Sequence, residues 1–158
     1  MPILEAVPTG WASSNVLIKS DGDPISELII SAWKSRGRFH LDGQEFFIEP
    51  KGFWLHNAVL LRGGSVVAKA ERIALLKRRW VISSAGHRLE LMSRSWTGRE
   101  FVLRMGASEV GKITRKGMTG RKIALHLPDD VPEVLQIFLT YIVVCQAKRE
   151  AAAAAAGS

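Results

Sequence analysis

The residues 134–147, VLQIFLTYIVVCQA, restrict what this chain can fold into more than any other stretch. At helical spacing Leu135, Phe138, Ile142 and Cys145 make one apolar stripe, yet Val134, Ile137, Leu139, Tyr141, Val143 and Val144 cover the other sides. A helix that is apolar all round has to be surrounded, by protein or by lipid. A bilayer span needs about 20 predominantly apolar residues, whereas runs of about 10–14 more often form buried core helices. Gln136, Thr140 and Gln146 already interrupt this run, and Lys148, Arg149 and Glu150 end it before the alanines that follow could lengthen it. A core helix over about 131–149 is predicted, and no transmembrane span. Asp130 reads as its cap, with Pro132 in the first turn and Glu133 completing a capping-box pattern.

Upstream, the dominant period is two. Short apolar-rich runs at 15–19, 25–34, 38–41, 45–48, 53–61, 65–70, 79–83, 87–92, 100–105, 109–114 and 122–127 are fenced by turn residues. Asp42-Gly43 is the strongest two-residue hairpin signal, and Gly63-Gly64 marks a second hairpin, since both central positions of such turns need positive φ. In Arg88-Leu89-Glu90-Leu91 and in residues 99–104 apolar and charged side chains partly alternate, as half-buried antiparallel strands require. Short strands at about 8–12-residue spacing indicate a sandwich or barrel. A sheet that closes on itself encloses a space, and an all-round apolar helix can fill it. The predicted fold is mainly β: a closed antiparallel barrel around a central hydrophobic α-helix. No linker-like stretch divides the 158 residues, so one domain over 1–150 is expected, followed by an alanine-rich tail at 151–158.

Charge points outward. Between Arg62 and Lys122 fifteen Lys and Arg stand against four Glu, +11 for that segment within a chain of net +7. Such an imbalance attracts phosphate, on lipid or on nucleic acid, although solvated strands also carry cations for solubility. The candidate anion-binding residues are Lys77, Arg78 and Arg79, together with Arg115, Lys116, Arg121 and Lys122. The latter four flank Gly117-Met118-Thr119-Gly120, a turn that could bring them onto one phosphate group.

Residues 108–116, Ser-Glu-Val-Gly-Lys-Ile-Thr-Arg-Lys, resemble the GE-x-V-G-x-I-x-K-K strand of the LURP-one-related proteins, which belong with tubby carboxy-terminal domains and phospholipid scramblases. Gly52-Phe53 to Leu61 and residues 65–70 are similar to earlier hairpins of that superfamily. The acidic turn and hydrophobic carboxy-terminal helix follow in the same order, so the resemblance covers about residues 36–147. It implies a twelve-stranded barrel with a central helix. It also implies a binding or membrane-associated module: tubby domains take phosphoinositide head groups on basic side chains of adjacent strands. The calcium-binding Asp-x-Asp-x-Asp pattern and the cysteine-rich stretch of scramblases are missing from this sequence, so transport activity is not carried over.

Catalytic patterns are weak. His40, His56, His87 and His126 form no His-x-x-x-His pair, and Cys145, the single cysteine, lies in the apolar run, where a thiol is a small hydrophobe. No enzyme activity, metal or cofactor is expected. Trp33, Trp54 and Trp80 fall in apolar runs and are expected between barrel and helix, while Trp96 stands near Arg94 and Arg99. The amino terminus lacks the basic and apolar regions of a secretory leader, so a cytoplasmic protein, peripheral to a membrane at most, is expected. The function expected is therefore non-catalytic binding of an anionic ligand, phosphate-bearing or a membrane lipid head group. A structural or protein-interaction domain is the alternative. Nucleic acid ranks lower, because no recognition helix or aromatic sheet motif accompanies the charge.

Overall fold

The structure, a computed structural model, describes residues 3–10, 14–52, 56–74, 78–94, 98–117 and 120–157. The turn signals of the sequence become hairpins. Strands β1 (Leu4–Pro8), β2 (Val16–Ser20), β3 (Asp23–Ile30), β4 (Gly37–Leu41), β5 (Gln44–Lys51) and β6 (Asn57–Arg62) form the first half of the sheet. The second half is β7 (Ser65–Ala74), β8 (Arg79–Ser84), β9 (His87–Ser93), β10 (Glu100–Met105), β11 (Ser108–Lys116) and β12 (Lys122–His126). Each strand pairs antiparallel with its chain neighbours, and β1 pairs with β12 through Leu4 opposite Leu125 and Ala6 opposite Ile123, which closes the barrel. At the β4–β5 turn Asp42 and Gly43 both have positive φ, the backbone that a two-residue hairpin needs. Ala85 does the same beside Gly86, in a region that L side chains with a Cβ disfavour.

Alternation sorts the side chains. In β4, Gly37, Phe39 and Leu41 are buried while Arg38 and His40 are exposed. Phe39 stacks on Phe46 with ring centroids 5.0 Å apart, and Trp80 meets Phe101 at 6.3 Å. Through this lining runs α1 (Glu133–Ala156), buried without a break from Leu135 to Val143 and again at Cys145 and Gln146. Its apolar residues belong to the same core cluster as the inward residues of the strands. The polar residues within the run are bonded locally: Gln136 donates to Val131 O at 2.9 Å and Thr140 to Gln136 O at 2.9 Å. Buried polar groups persist when they are paired in this way. None of the helices of the described chain is long and apolar enough to cross a membrane.

Two glycines are fixed by close approach. A Cβ at Gly37 would lie 3.1 Å from the Tyr141 ring, so its absence lets the helix pass β4. A Cβ at Gly111 would lie 2.6 Å from His126 O and 2.8 Å from Leu127, which gives the glycine of the 108–116 motif a steric reason: the end of β12 crosses directly over it.

Three expectations change. Trp33 is 96% exposed instead of packed on the helix, because β3 stops at Ile30. Ser31 closes the connection there: its carbonyl accepts from Ser35 N, its hydroxyl from Arg36 N, and its own N–H donates to Arg36 O, leaving Trp33 at the tip. Pro132, not Asp130, is the helix cap, and no side-chain cap bond forms, since a proline ring carries no acceptor for the first-turn N–H groups. Strand β1, which the periodicity leaves unmarked, supplies the twelfth strand. Residues 53–55 and 95–97, with Trp54 and Trp96, lie outside the described residues.

Candidate anion site at the helix-exit rim

An up-and-down barrel places alternate connections at the same end. At one end the five strand connections, Asp21-Gly22, Asp42-Gly43, Gly63-Gly64, Ala85-Gly86 and Gly106-Ala107, have two residues each. The helix enters on that side, after β12. At the other end every connection is longer, and there the helix emerges. Loops held by a rigid scaffold are where binding residues concentrate.

Arginines gather on the emerging turn of α1. Arg78 Nε lies 2.5 Å from Glu150 Oε1, and Arg115 Nη1 lies 3.8 Å from Glu150 Oε2. Gln146 Nε2 donates to Glu150 Oε1 at 3.1 Å, and its own oxygen accepts from Arg72 Nη1 at 3.5 Å. Arg72 also donates to His56 Nδ1 at 3.1 Å and lies 5.4 Å from the centre of the Trp80 ring, whose N–H donates to His56 O. Strand parity explains the inward arginines: Arg72 follows inward Ala70, and Arg115 follows inward Ile113, each at the last step before the rim. Gly98 makes room for the carboxylate, because a Cβ there would sit 2.8 Å from Glu150 Oε2.

The electrostatics follow from crowding. Burial lowers the pKa of Arg72, and Arg149 and Arg78 add to that, while Glu150 opposes it. For Arg115 burial again comes first, Glu150 acts against it, and Arg99 and Arg78 reinforce it. All remain guanidinium ions near neutrality, since arginine does not lose its proton in that range. Burial lowers the pKa of His56, and the charges of Arg72 and Arg149 lower it further. Its Nδ1 accepts from Arg72, so the ring is neutral in this arrangement. Arg78 and Arg115 thus pair with Glu150, Arg72 lies within its electrostatic reach, and Arg99 and Arg149 add positive charge beside Arg115 and Arg72.

Of the seven residues expected to bind an anion, Arg78 and Arg115 meet at this rim. Arg115 also donates to Gly120 O at 2.9 Å and Gly98 O at 3.1 Å, tying two connections together. Arg79 lies on the outer face of β8 and pairs with Glu90 at 2.6 Å. Lys116 and Lys122 are cross-strand partners, both exposed. Arg121 donates to Gly10 O. Alternation therefore sends Arg115 inward and its neighbour Lys116 outward, and the four cations of that turn do not meet on one point. Lys77 lies outside the described residues. The rim adds Arg72, Arg149, Glu150 and His56; inward parity marks Arg72 in the sequence, and helical spacing from Gln146 marks Glu150. Among the described residues no group of three or more His, Cys, Asp or Glu is placed to hold a metal ion.

No protein-family model, no curated protein and no solved structure matches the chain.

Proposed function

We propose that this chain is a non-catalytic binding module of the tubby-like, LURP-one-related kind, cytoplasmic and peripheral to a membrane, which takes a phosphate-bearing anion at its basic helix-exit rim. The observation that carries this reading is the excess of arginine around one carboxylate: Glu150 holds Arg78 and Arg115 and acts on Arg72, while Arg99 and Arg149 add charge beside Arg115 and Arg72. Guanidinium groups suit phosphate because their planar N–H donors match its oxygens. Partial burial strengthens such contacts relative to those on an open surface.

The test is calorimetric titration with a soluble polyanion, inositol hexakisphosphate, and co-sedimentation with anionic vesicles. Each cation near an anionic surface contributes about 1 kcal/mol, so Arg78→Ser should weaken binding about five-fold. Lys116→Ser with Lys122→Ser, which removes outward charge only, should weaken the soluble polyanion less than Arg78→Ser alone. If the parent binds neither probe at low salt, the arginines serve only to latch the helix into the barrel. Tighter binding to duplex DNA than to either probe would favour nucleic acid instead.

A further inference from the structure

The β3–β4 connection carries a side chain that folding leaves unexplained. Trp33 is 96% exposed at the tip of residues 31–36, and a tryptophan is ordinarily among the more buried residues. Its flanks are cationic: Lys34 and Arg36 in the same connection, and Arg38 two residues on, are exposed. Immediately below, β3 and β4 pair only through Ile29 opposite Arg38 and Ile30 opposite Gly37. A cleft of about 390 Å³ opens on the outer face there, lined by Ile29, Arg36, Arg38, Phe47 and Glu49 among others. Phe47, opposite Arg38 on β5, is itself 42% exposed. The one carboxylate of the group, Glu49, is paired with Lys51 at 3.3 Å.

The connection is also held firmly. Tyr141 on the central helix donates to Ser35 O, and Lys148 Nζ donates to Ala32 O at 3.4 Å. The tip is therefore anchored from within by the same helix that carries Glu150, at the same end of the barrel. The two-residue turns at the opposite end contain nothing larger than Asp.

We infer that the β3–β4 edge is a membrane-docking element: Trp33 enters the head-group region of an anionic bilayer while Lys34, Arg36 and Arg38 contact lipid phosphates. An indole suits the water–lipid boundary, being apolar in its body with one N–H donor, and cations beside it select an anionic leaflet. Docking by this edge would turn the arginine rim toward the same surface. The inference rests on reading this end as an anion-binding face, and it names the bilayer, not a free phosphate, as the source of the anion.

The experiment uses the full chain with vesicles of phosphatidylcholine alone, and of phosphatidylcholine with about one-fifth phosphatidylserine. Binding to the mixed vesicles is expected, with a blue shift in emission that Trp33→Ala removes. That variant should partition about ten-fold more weakly, the effect of withdrawing most of one aromatic side chain from an apolar environment. Lys34→Ser, Arg36→Ser and Arg38→Ser together should weaken binding about 100-fold. Both variants change exposed positions and should melt as the parent does, and both should bind inositol hexakisphosphate at the rim as the parent does. Soluble polyanion binding that depends on Arg78, with vesicle binding absent or indifferent to Trp33, would overturn the docking element and leave the rim reading intact. Loss of both would overturn the two together. Self-association of the parent that Trp33→Ala abolishes, without vesicle binding, would assign this edge to a second copy and overturn the proposal.

Discussion

At the residue scale, environment decides what each titratable group does. Burial and two arginines hold His56 below its ordinary value. The unfolded chain then takes up a proton first as pH falls, so stability present at neutral pH declines as pH drops through about 6.5 and levels once the folded ring also protonates. His56→Asn should flatten that part of a melting-temperature profile between about pH 5 and 7.5. A phosphate bound at the rim would offset Arg72 and Arg149, so saturation with inositol hexakisphosphate should raise the His56 value in a proton NMR titration; an unmoved value would locate the ligand elsewhere. Glu150 is a competitor for the same guanidinium groups. Glu150→Gln should cost about 1–2 kcal/mol in stability, from a half-buried charged hydrogen bond, yet tighten anion binding. Cys145 shows how far a single residue was legible: an apolar run argues for a buried thiol, and burial raises its pKa accordingly. Trp33 was not legible, because ISELIISAWK reads as one β-rich run and nothing in its periodicity shows that Ser31 folds back on Arg36.

At the element scale, strands were legible wherever a turn residue with positive φ fenced them, as at Asp42-Gly43 and Gly63-Gly64. Strand β1 was not: five residues with Pro8 at the end show too little alternation, and what defines them is pairing with β2 and β12, chain segments far apart in sequence. The rim was legible only in its charge. Composition cannot say that Arg115 points inward and Lys116 outward until the register is known, and Arg149 and Glu150 join the site only because the helix leaves the barrel there. The helix itself supplies a sharp test. Phe138 is fully buried, and an unpaired carboxylate in its place costs several kcal/mol against a total stability of about 5–15. Phe138→Asp should abolish cooperative melting followed by circular dichroism. The last turns behave oppositely. Helix α1 continues to Ala156, yet residues 151–157 are exposed, so removing 151–158 should change stability by no more than about 0.5 kcal/mol in denaturant unfolding.

At the scale of the whole molecule, closure and filling depend on each other. A central helix with apolar residues on every side needs an unbroken wall, and a twelve-stranded wall leaves a space that side chains from the strands alone do not fill. Strand β1 is the seam of that wall. Its inward Leu4 and Ala6 are buried in the core, and its backbone satisfies both β2 and β12. Without it, β2 and β12 become edge strands with unpaired N–H and C=O groups, open to pairing with another chain, and the flank of the helix meets water. Deleting residues 1–8 should therefore do more than remove two core side chains. We expect loss of a single cooperative unfolding transition and concentration-dependent association in analytical ultracentrifugation, because the freed edges seek partners. Double substitution of Leu4→Ala with Ala6→Gly, which keeps the seam paired, should instead give a monomer destabilised by roughly 3–5 kcal/mol, the scale of a large-to-small core substitution plus added backbone freedom. A deletion variant that stays monomeric and melts like the parent would mean that the remaining strands close by themselves, and that the β1–β12 ladder is not what seals the barrel around its helix.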